Sequence, residues 1–363
     1  MKKITSMILA LVFAVSVIGS ASAKTLKIQL TFPKTSYDGQ IVKMWTDRVT
    51  KLTRGELKFE LLSKGEVVGM KETLEAVDKG LVDGGAAWTH YWSNYHPAAM
   101  LFGSPVAGGG IGLSTKSWLA WYFDNGGKEL YDQLWSEMGM NVKGFVMASS
   151  GPEALGWFKE PIKNMDDFRK YRFRTPPGIP GQTYKDIGIA SVSLSGGDIL
   201  PALEKGTIDA AEWCCPKPDL VFGFQKVLKH YYLQGLHQVV VNADFYITGK
   251  TYNAMTDHEK KSLEVAANAS LNKSLSRRIY ENGLALRELT TKHGVILEDT
   301  PTDYFTEYMA AAKATLNKNA AENAFFKEVY DSMKEFADIA VPFWSGAQMS
   351  NAKLGMAHAA TLK

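Results

Sequence analysis

Gly206-Thr-Ile-Asp-Ala-Ala-Glu-Trp-Cys-Cys-Pro216 reads as a short buried strand at Thr207-Ile208 that runs into an acidic-aromatic segment. Glu212 and Trp213 then fall where a strand leaves its sheet, and open α/β sheets take their ligands just outside the carboxyl ends of strands. An earlier stretch has the same pattern. Leu74-Glu-Ala-Val-Asp-Lys-Gly-Leu-Val-Asp83 matches Leu200-Pro-Ala-Leu-Glu-Lys-Gly-Thr-Ile-Asp209 at Leu, Ala, Lys, Gly and Asp. The exchanges Val77/Leu203, Asp78/Glu204 and Val82/Ile208 are conservative, and a Trp follows each copy, Trp88 and Trp213. The repeat predicts two α/β units, each ending in an aromatic that could face a shared cleft.

The flanking sequence supports that class. Leu26, Ile28, Leu30 and Phe32 alternate with polar residues up to Pro33, as a half-buried strand does. Ile41, Trp45, Val49 and Leu52 follow helical spacing until Arg54-Gly55. Leu57, Phe59 and Leu61 form a second strand, and Met70, Leu74, Val77 and Leu81 a second amphipathic helix. Strands alternating with helices argue for α/β architecture. Val142 to Met147 reads as a strand crossing into the second unit, and Tyr231 to Ile247 carries strands back. Thr256-x-x-Glu259 is a capping box that opens a long helix with Leu263, Ala267, Leu271, Leu275 and Ile279. Fourfold spacing makes this stripe drift around the helix, so the helix can pack against both units. From about Asp303 to Leu354 the chain reads as helical, with a break at Pro342.

The N-terminus stands apart. Lys2 and Lys3 precede an apolar run from Met7 to Ile18 and a small-x-small site, Ala21-Ser22-Ala23. This predicts a signal peptide over 1–23, cleaved before Lys24, with an uncleaved anchor as the alternative. No later stretch is long and apolar enough to be a membrane helix, so a soluble, exported chain is expected. About 340 mature residues favour two domains. The formal charge of +3, less Lys2 and Lys3, is near neutral and gives no footprint for nucleic acid or an anionic membrane.

Chemistry-bearing motifs are sparse. The seven His residues form no H-x-x-x-H pair. No G-x-S-x-G elbow exists, and the Phe102–Gly112 glycine-rich loop fits neither nucleotide fingerprint. A periplasmic metal-dependent enzyme is the competing class, with no local base–nucleophile pair behind it. A hard cation bound by oxygen ligands leaves little signature in sequence. The only cysteines, Cys214 and Cys215, are adjacent, and read either as packed thiols or as a strained vicinal ring. In Tyr171-Arg172-Phe173-Arg174, alternation puts both arginines opposite both aromatics, and Thr175-Pro-Pro-Gly178 ends the strand. Arg174 at the strand exit could grip a carboxylate bidentately, or be an ion-paired edge residue; Arg172 is expected to be the solvated one.

In order, Thr53-Arg54-Gly55, Leu74 to Asp83, Phe173 to Gly178 and Gly206 to Trp213 resemble the motifs of DctP-type solute-binding proteins of TRAP transporters. Glu212-Trp-Cys-Cys-Pro216 and Tyr231-Tyr-Leu-Gln-Gly-Leu-His237 are most similar to the branch that binds 2-oxo and 2-hydroxy monocarboxylates. The resemblance implies a two-lobed periplasmic binding fold, α/β in both lobes, with a long bridging helix and C-terminal helices. The expected division is 24–147 plus about 247–300 for lobe I, 148–246 for lobe II, and 301–363 as a helical segment packing on both. Arg174 would pair with the substrate carboxylate. Tyr91 and Trp92 would line the pocket from the first lobe, with Trp213 and Glu153 completing it. A cation, Na+ or Ca2+, would sit beside the ligand on Glu212, the Trp213 carbonyl, Glu153 and Gln238. Glu153 stands where the family has Gln, and Gln238 where it has Glu, which reads as a charge-preserving exchange around one site. The implied partners are the small and large integral TRAP subunits; the apolar stripe Phe326, Val329, Tyr330, Met333 and Phe336 within Phe325–Trp344 reads either as intramolecular core or, as the resemblance implies, as helices exchanged in a homodimer. A small sulfonate such as isethionate is the alternative ligand, because Arg can also grip a sulfonate.

Overall fold

The computed structural model describes residues 23–361; the expected signal peptide, but for Ala23, lies outside them. The chain builds two mixed sheets. In chain order the strands are β1 (Lys24–Leu30), β2 (Leu57–Leu62), β3 (Gly84–Trp88), β4 (Val142–Ser150), β5 (Gly156–Phe158), β6 (Arg172–Arg174), β7 (Ala190–Val192), β8 (Ala210–Ala211), β9 (His230–Tyr232), β10 (Val241–Thr248) and β11 (Ile296–Glu298). The first sheet has the order β2-β1-β3-β10-β4, with β1 parallel to both neighbours and β10 antiparallel to β3 and β4. The second has the order β11-β9-β5-β8-β6-β7, with β6 parallel to β7 and β8.

Packing follows the hydrophobic pattern. Leu26, Ile28 and Leu30 of β1 are buried, as are Ile41, Trp45 and Val49 of the helix Tyr37–Leu52, and Trp45 packs on Phe245 of β10 with centroids 3.9 Å apart and the rings tilted by 36°. The second core stacks Trp157 of β5 on Tyr231 of β9, 4.1 Å apart. Aromatic pairs of this kind add roughly 0.5–1.5 kcal/mol each beyond their area.

Several boundaries differ from expectation. The strand near Thr207-Ile208 starts later, at Ala210; Thr207 is exposed and only Ile208 is buried. The lobe boundary expected at 246/247 falls inside β10, all of which lies in the first sheet, between β3 and β4. β4 runs on to Ser150, past the expected 147, and β11 joins the second sheet although 247–300 was expected in lobe I. The crossings occur at turn-forming residues, Gly151-Pro152 and Leu233 to Val240, because a fully buried strand such as β10 cannot leave its ladder without orphaning backbone groups.

The helix Asp257–Lys292 starts at the expected Thr256/Glu259 capping box. Its buried stripe leaves the expected line. Leu263, Ala267 and Leu271 are buried, but Ile279 is 78% exposed, and the stripe continues through Ser274, Arg278, Ala285 and Leu289. Sixteen residues at 3.6 per turn turn Ile279 about 160° from Leu263. The helix thus presents polar Ser270, Ser274 and Arg278 to the middle of the molecule. Its ends serve different lobes: Arg48 Nη1 donates to Ser270 Oγ at 2.7 Å, and Lys217 N to Asn282 Oδ1 at 2.9 Å.

Two helices, Thr302–Glu322 and Ala324–Ala360, close the chain. Tyr304, Tyr308, Ala312 and Leu316, then Phe326, Val329, Tyr330 and Met333, pack into the main core. Pro342 does not break the helix as expected. Proline removes one i→i−4 bond and clashes with the carbonyl four residues back; here that falls on a solvent-exposed stretch where water can serve the freed carbonyl. No helix among the described residues is long and apolar enough to cross a membrane.

Candidate functional site

Arg174 and Glu212 leave adjacent parallel strands. β6 pairs with β8 so that Arg174 lies beside Ala211, and Glu212 N donates to Arg174 O at 3.2 Å. Both side chains turn inward. Arg174 Nη1 donates to Glu212 Oε1 at 2.5 Å and to Glu212 O at 2.8 Å, while Nε and Nη2 donate to Leu194 O at 3.1 and 3.0 Å. The guanidinium lies 5.0 Å from the Trp213 ring centre. Arg172, expected to be the solvated one, is exposed and pairs with Asp209 through two 2.7 Å bonds.

Glu212 keeps its second oxygen free. Oε2 lies 3.3 Å from His237 Nε2, without hydrogen-bond alignment, and both atoms are buried without another partner. Glu153 Oε2 is likewise buried and unpartnered. Glu153, Glu212 and His237 bring ligand atoms within 4.8 Å of one another. Burial holds the Glu153 carboxyl far above the usual carboxylate range; Glu212 and Cys215 push the same way, against Arg278 and the Cys214 thiol. A carboxyl so placed ionises only when positive charge arrives. Arg174, Glu153, Glu212 and His237 are each no more than 5% exposed, so the cluster is enclosed between the sheets.

The other expected site residues divide. Tyr91 is half-buried and packs edge-on to His90, ring centres 5.0 Å apart, and its phenol is pushed up first by burial and then by Asp38 and Glu153, with Arg174 opposing. Trp92, expected in the pocket wall, packs edge-on to Tyr95 and Tyr246 and is 1% exposed, a core residue of the first lobe. The register explains this: β3 ends at Trp88, and the short helical turn Thr89–Trp92 sends neighbouring side chains to opposite sides. The Gln238 side-chain amide donates to Ser104 Oγ, 3.1 Å away, and the Gln238 backbone carbonyl accepts from Glu153 N at 3.0 Å, so Gln238 braces Glu153 through its main chain.

Sequence reasoning missed four residues. His237 was visible only as the last residue of a motif; its Nδ1 meets Tyr184 Oη at 3.1 Å, which meets Tyr304 Oη at 3.1 Å, a chain that orients the imidazole. Asp219 pins the segment after Trp213. Its Oδ1 accepts from Cys214 N at 3.1 Å, and Oδ2 from Trp157 Nε1 at 2.9 Å and Tyr231 Oη at 3.0 Å. Burial pushes its carboxyl up to about 7 despite those bonds. Arg278 and Asp38 form the third feature. Arg278 Nη2 lies 3.3 Å from Asp38 Oδ1, Nη1 lies 3.6 Å from both cysteine sulfurs, and the guanidinium covers the Tyr37 and Trp88 rings at 4.9 and 5.9 Å. The signal for Arg278 was its place in the buried stripe of a 3.6-residue period. The two Trp residues that follow the internal repeat thus each meet an arginine, Trp88 with Arg278 and Trp213 with Arg174.

Comparison with known proteins agrees with this architecture. Residues 30–323 match the family described as DctP, bacterial extracellular solute-binding protein, family 7. A monocarboxylate 2-oxoacid-binding periplasmic protein of Nostoc sp. (strain PCC 7120) is 30% identical over 296 residues, covering 80% of this chain and 77% of that protein. A TRAP transporter solute-binding protein of Bordetella bronchiseptica RB50, a dimer with calcium and picolinate in one site, superposes with a TM-score of 0.84 at 24% identity, over 94% of this chain and 99% of that one. A TRAP periplasmic solute-binding protein of Colwellia psychrerythraea with bound calcium and pyruvate gives 0.83 at 24%, over 92% and 99%. One from Pseudoalteromonas atlantica T6c with sodium and pyruvate gives 0.82 at 22%, over 91% and 99%. At these identities the structural likeness shows the two-lobed fold. The matched family and the solved relatives are solute-binding receptors, not enzymes.

Proposed function

From the premise that this chain belongs to the DctP family of bacterial extracellular solute-binding proteins, we propose that it captures a small 2-oxo or 2-hydroxy monocarboxylate, of the size of pyruvate or lactate, in the periplasm and hands it to the small and large membrane subunits of a TRAP transporter. The observation that carries this reading is the enclosed Arg174–Glu212 pair facing Glu153 and His237.

A small carboxylate is strongly hydrated, so its capture requires replacement charge. Arg174 offers a fixed fork at a strand end, and enclosure between the lobes strengthens every charge interaction inside. Tyr91 and Trp213 flank the space and limit ligand size. Lobe separation admits the acid, and closure expels water.

The residues also fit a cation. Two buried carboxylates face one another, each with an oxygen lacking any partner. Glu212, Glu153 and the Trp213 carbonyl would hold Na+ or Ca2+, with Gln238 bracing Glu153 and His237 beside them. These hard ions favour oxygen ligands, and such a cation would supply the second positive charge for the ligand's carboxylate and oxo oxygens. The Nostoc relative and the pyruvate-bound solved relatives point to the same class of acid.

The test is a titration of the purified protein with pyruvate, other 2-oxo acids, lactate and isethionate, read by Trp fluorescence before and after EDTA. Saturable binding of a 2-oxo acid, weakened by EDTA and restored by calcium, supports the reading. A response to isethionate alone replaces the carboxylate with a sulfonate, and no response to any acid sinks both.

A second copy of the chain is the further partner we propose. The expected exchange stripe, Phe326 to Met333, is intramolecular core. Beyond it the helix runs on uncovered, with Ile339, Phe343, Leu354 and Met356 each more than 70% exposed. Ile339, Phe343 and Leu354 fall within about 60° of one another around the helix, with Met356 on the far side; exposed apolar surface of this kind marks an interaction face, and the Bordetella relative is a dimer.

A further inference from the structure

Cys214 and Cys215 hold neither the acid nor the cation in the reading above, though both bear on the Glu153 carboxyl, and they sit directly after Glu212-Trp213. We propose that this vicinal pair is a reversible oxidation site, closed to a disulfide by a small peroxide, whose closure resets the loop that carries Glu212 and Trp213. The effect on ligand binding rests on the function proposed above; the oxidation itself does not.

Three observations converge. The chain has two cysteines, so each can form an intramolecular disulfide only with the other. Their sulfurs lie 2.7 Å apart, buried, and both meet the Arg278 guanidinium at 3.6 Å. The backbone around them is clamped: Cys214 O accepts from Ala154 N at 2.8 Å, Cys214 N donates to Asp219 Oδ1 at 3.1 Å, and Cys215 O accepts from Asp219 N at 3.1 Å. A bond between adjacent cysteines closes a ring that contains their shared peptide and departs from relaxed disulfide geometry. The peptide must turn to admit it. That turn pulls on the Ala154–Cys214 bond, one residue from Glu153, and on Trp213 next to the arginine fork.

The chemistry balances. One sulfur attacks a peroxide oxygen, the O–O bond breaks, and water leaves behind a sulfenic acid. The second sulfur attacks the first and displaces a second water. In total, two thiols and one hydrogen peroxide give one disulfide and two waters; the sulfurs lose two electrons, and both thiol protons end in water. Arg278 stabilises the negative charge on the attacking sulfur. Burial favours an oxidant as small as a peroxide, and this extracellular family works where thiols are not held reduced. A dithiol reductant reverses the reaction by exchange and becomes a disulfide itself.

The experiment treats the reduced, full protein with hydrogen peroxide and reads intact mass, Trp fluorescence and pyruvate affinity. The expected result is a monomer lighter by two hydrogens, altered Trp fluorescence, pyruvate affinity lowered about tenfold or more (~1.4 kcal/mol), and recovery of all three with dithiothreitol. Cys214→Ser and Cys215→Ser, made separately, should show neither the mass loss nor the fluorescence change. If either variant fails to fold, the wild-type mass and its reversal decide alone. Unchanged mass, added oxygen atoms or an intermolecular disulfide overturns the proposal, as does a disulfide that leaves Trp fluorescence unaltered. Should the reduced protein bind no acid, the proposed ligand falls, while mass and fluorescence still decide the oxidation site.

Discussion

Arg174 and Glu212 end neighbouring parallel strands and meet through a 2.5 Å contact in a site where neither is more than 4% exposed. The pair fixes the guanidinium before any ligand arrives, but four of its five N–H groups already bond Glu212 and Leu194, so a ligand carboxylate engages it bidentately only by displacing part of that set. It also makes Glu212 dependent on Arg174. Arg174→Ala leaves a buried carboxylate uncompensated in the free protein and deprives the ligand of its partner. The expected loss of pyruvate affinity is roughly 2–5 kcal/mol, with a lowered melting temperature. Arg174→Lys should recover part of the stability but little of the affinity, because an ammonium cannot make the bidentate contact. Calorimetric titration checks this, and undiminished affinity in the alanine variant would remove Arg174 from the site.

Glu153 and Gln238 are joined through their backbones, Glu153 N to Gln238 O at 3.0 Å, and both flank the Glu212–His237 contact. If their exchange preserves one charge at the cation site, the two positions are coupled. Glu153→Gln alone should weaken calcium binding and lower pyruvate affinity with it. Glu153→Gln combined with Gln238→Glu should restore a substantial part. Calcium titrations of both variants decide the matter: simple additivity of the two effects would mean that the positions act independently.

Asp244 lies on β10 in the first-lobe core, where Oδ2 accepts from Thr89 Oγ1 at 2.6 Å and Oδ1 has no partner. Burial raises its carboxyl from 3.8 to about 8, against the Thr89 hydrogen bond. A carboxyl with a raised pKa keeps its proton in the fold where the unfolded chain has lost it. Between those two values the native state therefore binds more protons, and stability falls as pH rises. Asp244→Asn keeps the shape without the titration. The variant should gain on the wild type by on the order of 1 kcal/mol per pH unit within this window. Urea unfolding at several pH values reads the difference, and a gap that does not change with pH contradicts the raised pKa.

The α/β alternation, the capping box at Thr256 and the strand-exit places of Arg174 and Glu212 were legible because each depends on local pattern or on a motif contiguous in the chain. The membership of all of β10 in the first sheet was not, because the sheet to which a buried strand belongs is set by partners such as Trp88 and Ser150, far away in sequence. His237 and Arg278 escaped for the same reason. A lone histidine after Gly-Leu and an arginine inside a helix look like ordinary surface residues until tertiary packing surrounds them with Glu212 or with Asp38 and two sulfurs. Trp92 erred the other way: an aromatic beside Tyr91 looked like a wall, and one turn of helix sent it into the core.

The helix Ala324–Ala360 changes character at Trp344, whose Nε1 donates to Ser114 Oγ at 3.0 Å. As far as Ala337 it fills the core, Ile339 and Phe343 are already exposed, and from residue 348 onward every described residue is exposed, Leu354 and Met356 included. Ending the chain after Gly346 would keep the Trp344 anchor and every buried residue of the helix, yet remove Met349, Leu354 and Met356 from the uncovered apolar surface. If a second copy covers that stripe, the full chain should sediment as a dimer and the shortened chain as a monomer, with pyruvate affinity unchanged because no residue of the Arg174–Glu212–Glu153 cluster is touched. Substituting Ile339 and Phe343 by Glu in the full chain should also dissociate the dimer, since buried like charges in an apolar seam are costly. A full chain that sediments as a monomer at micromolar concentration would show that the stripe is not a dimer face.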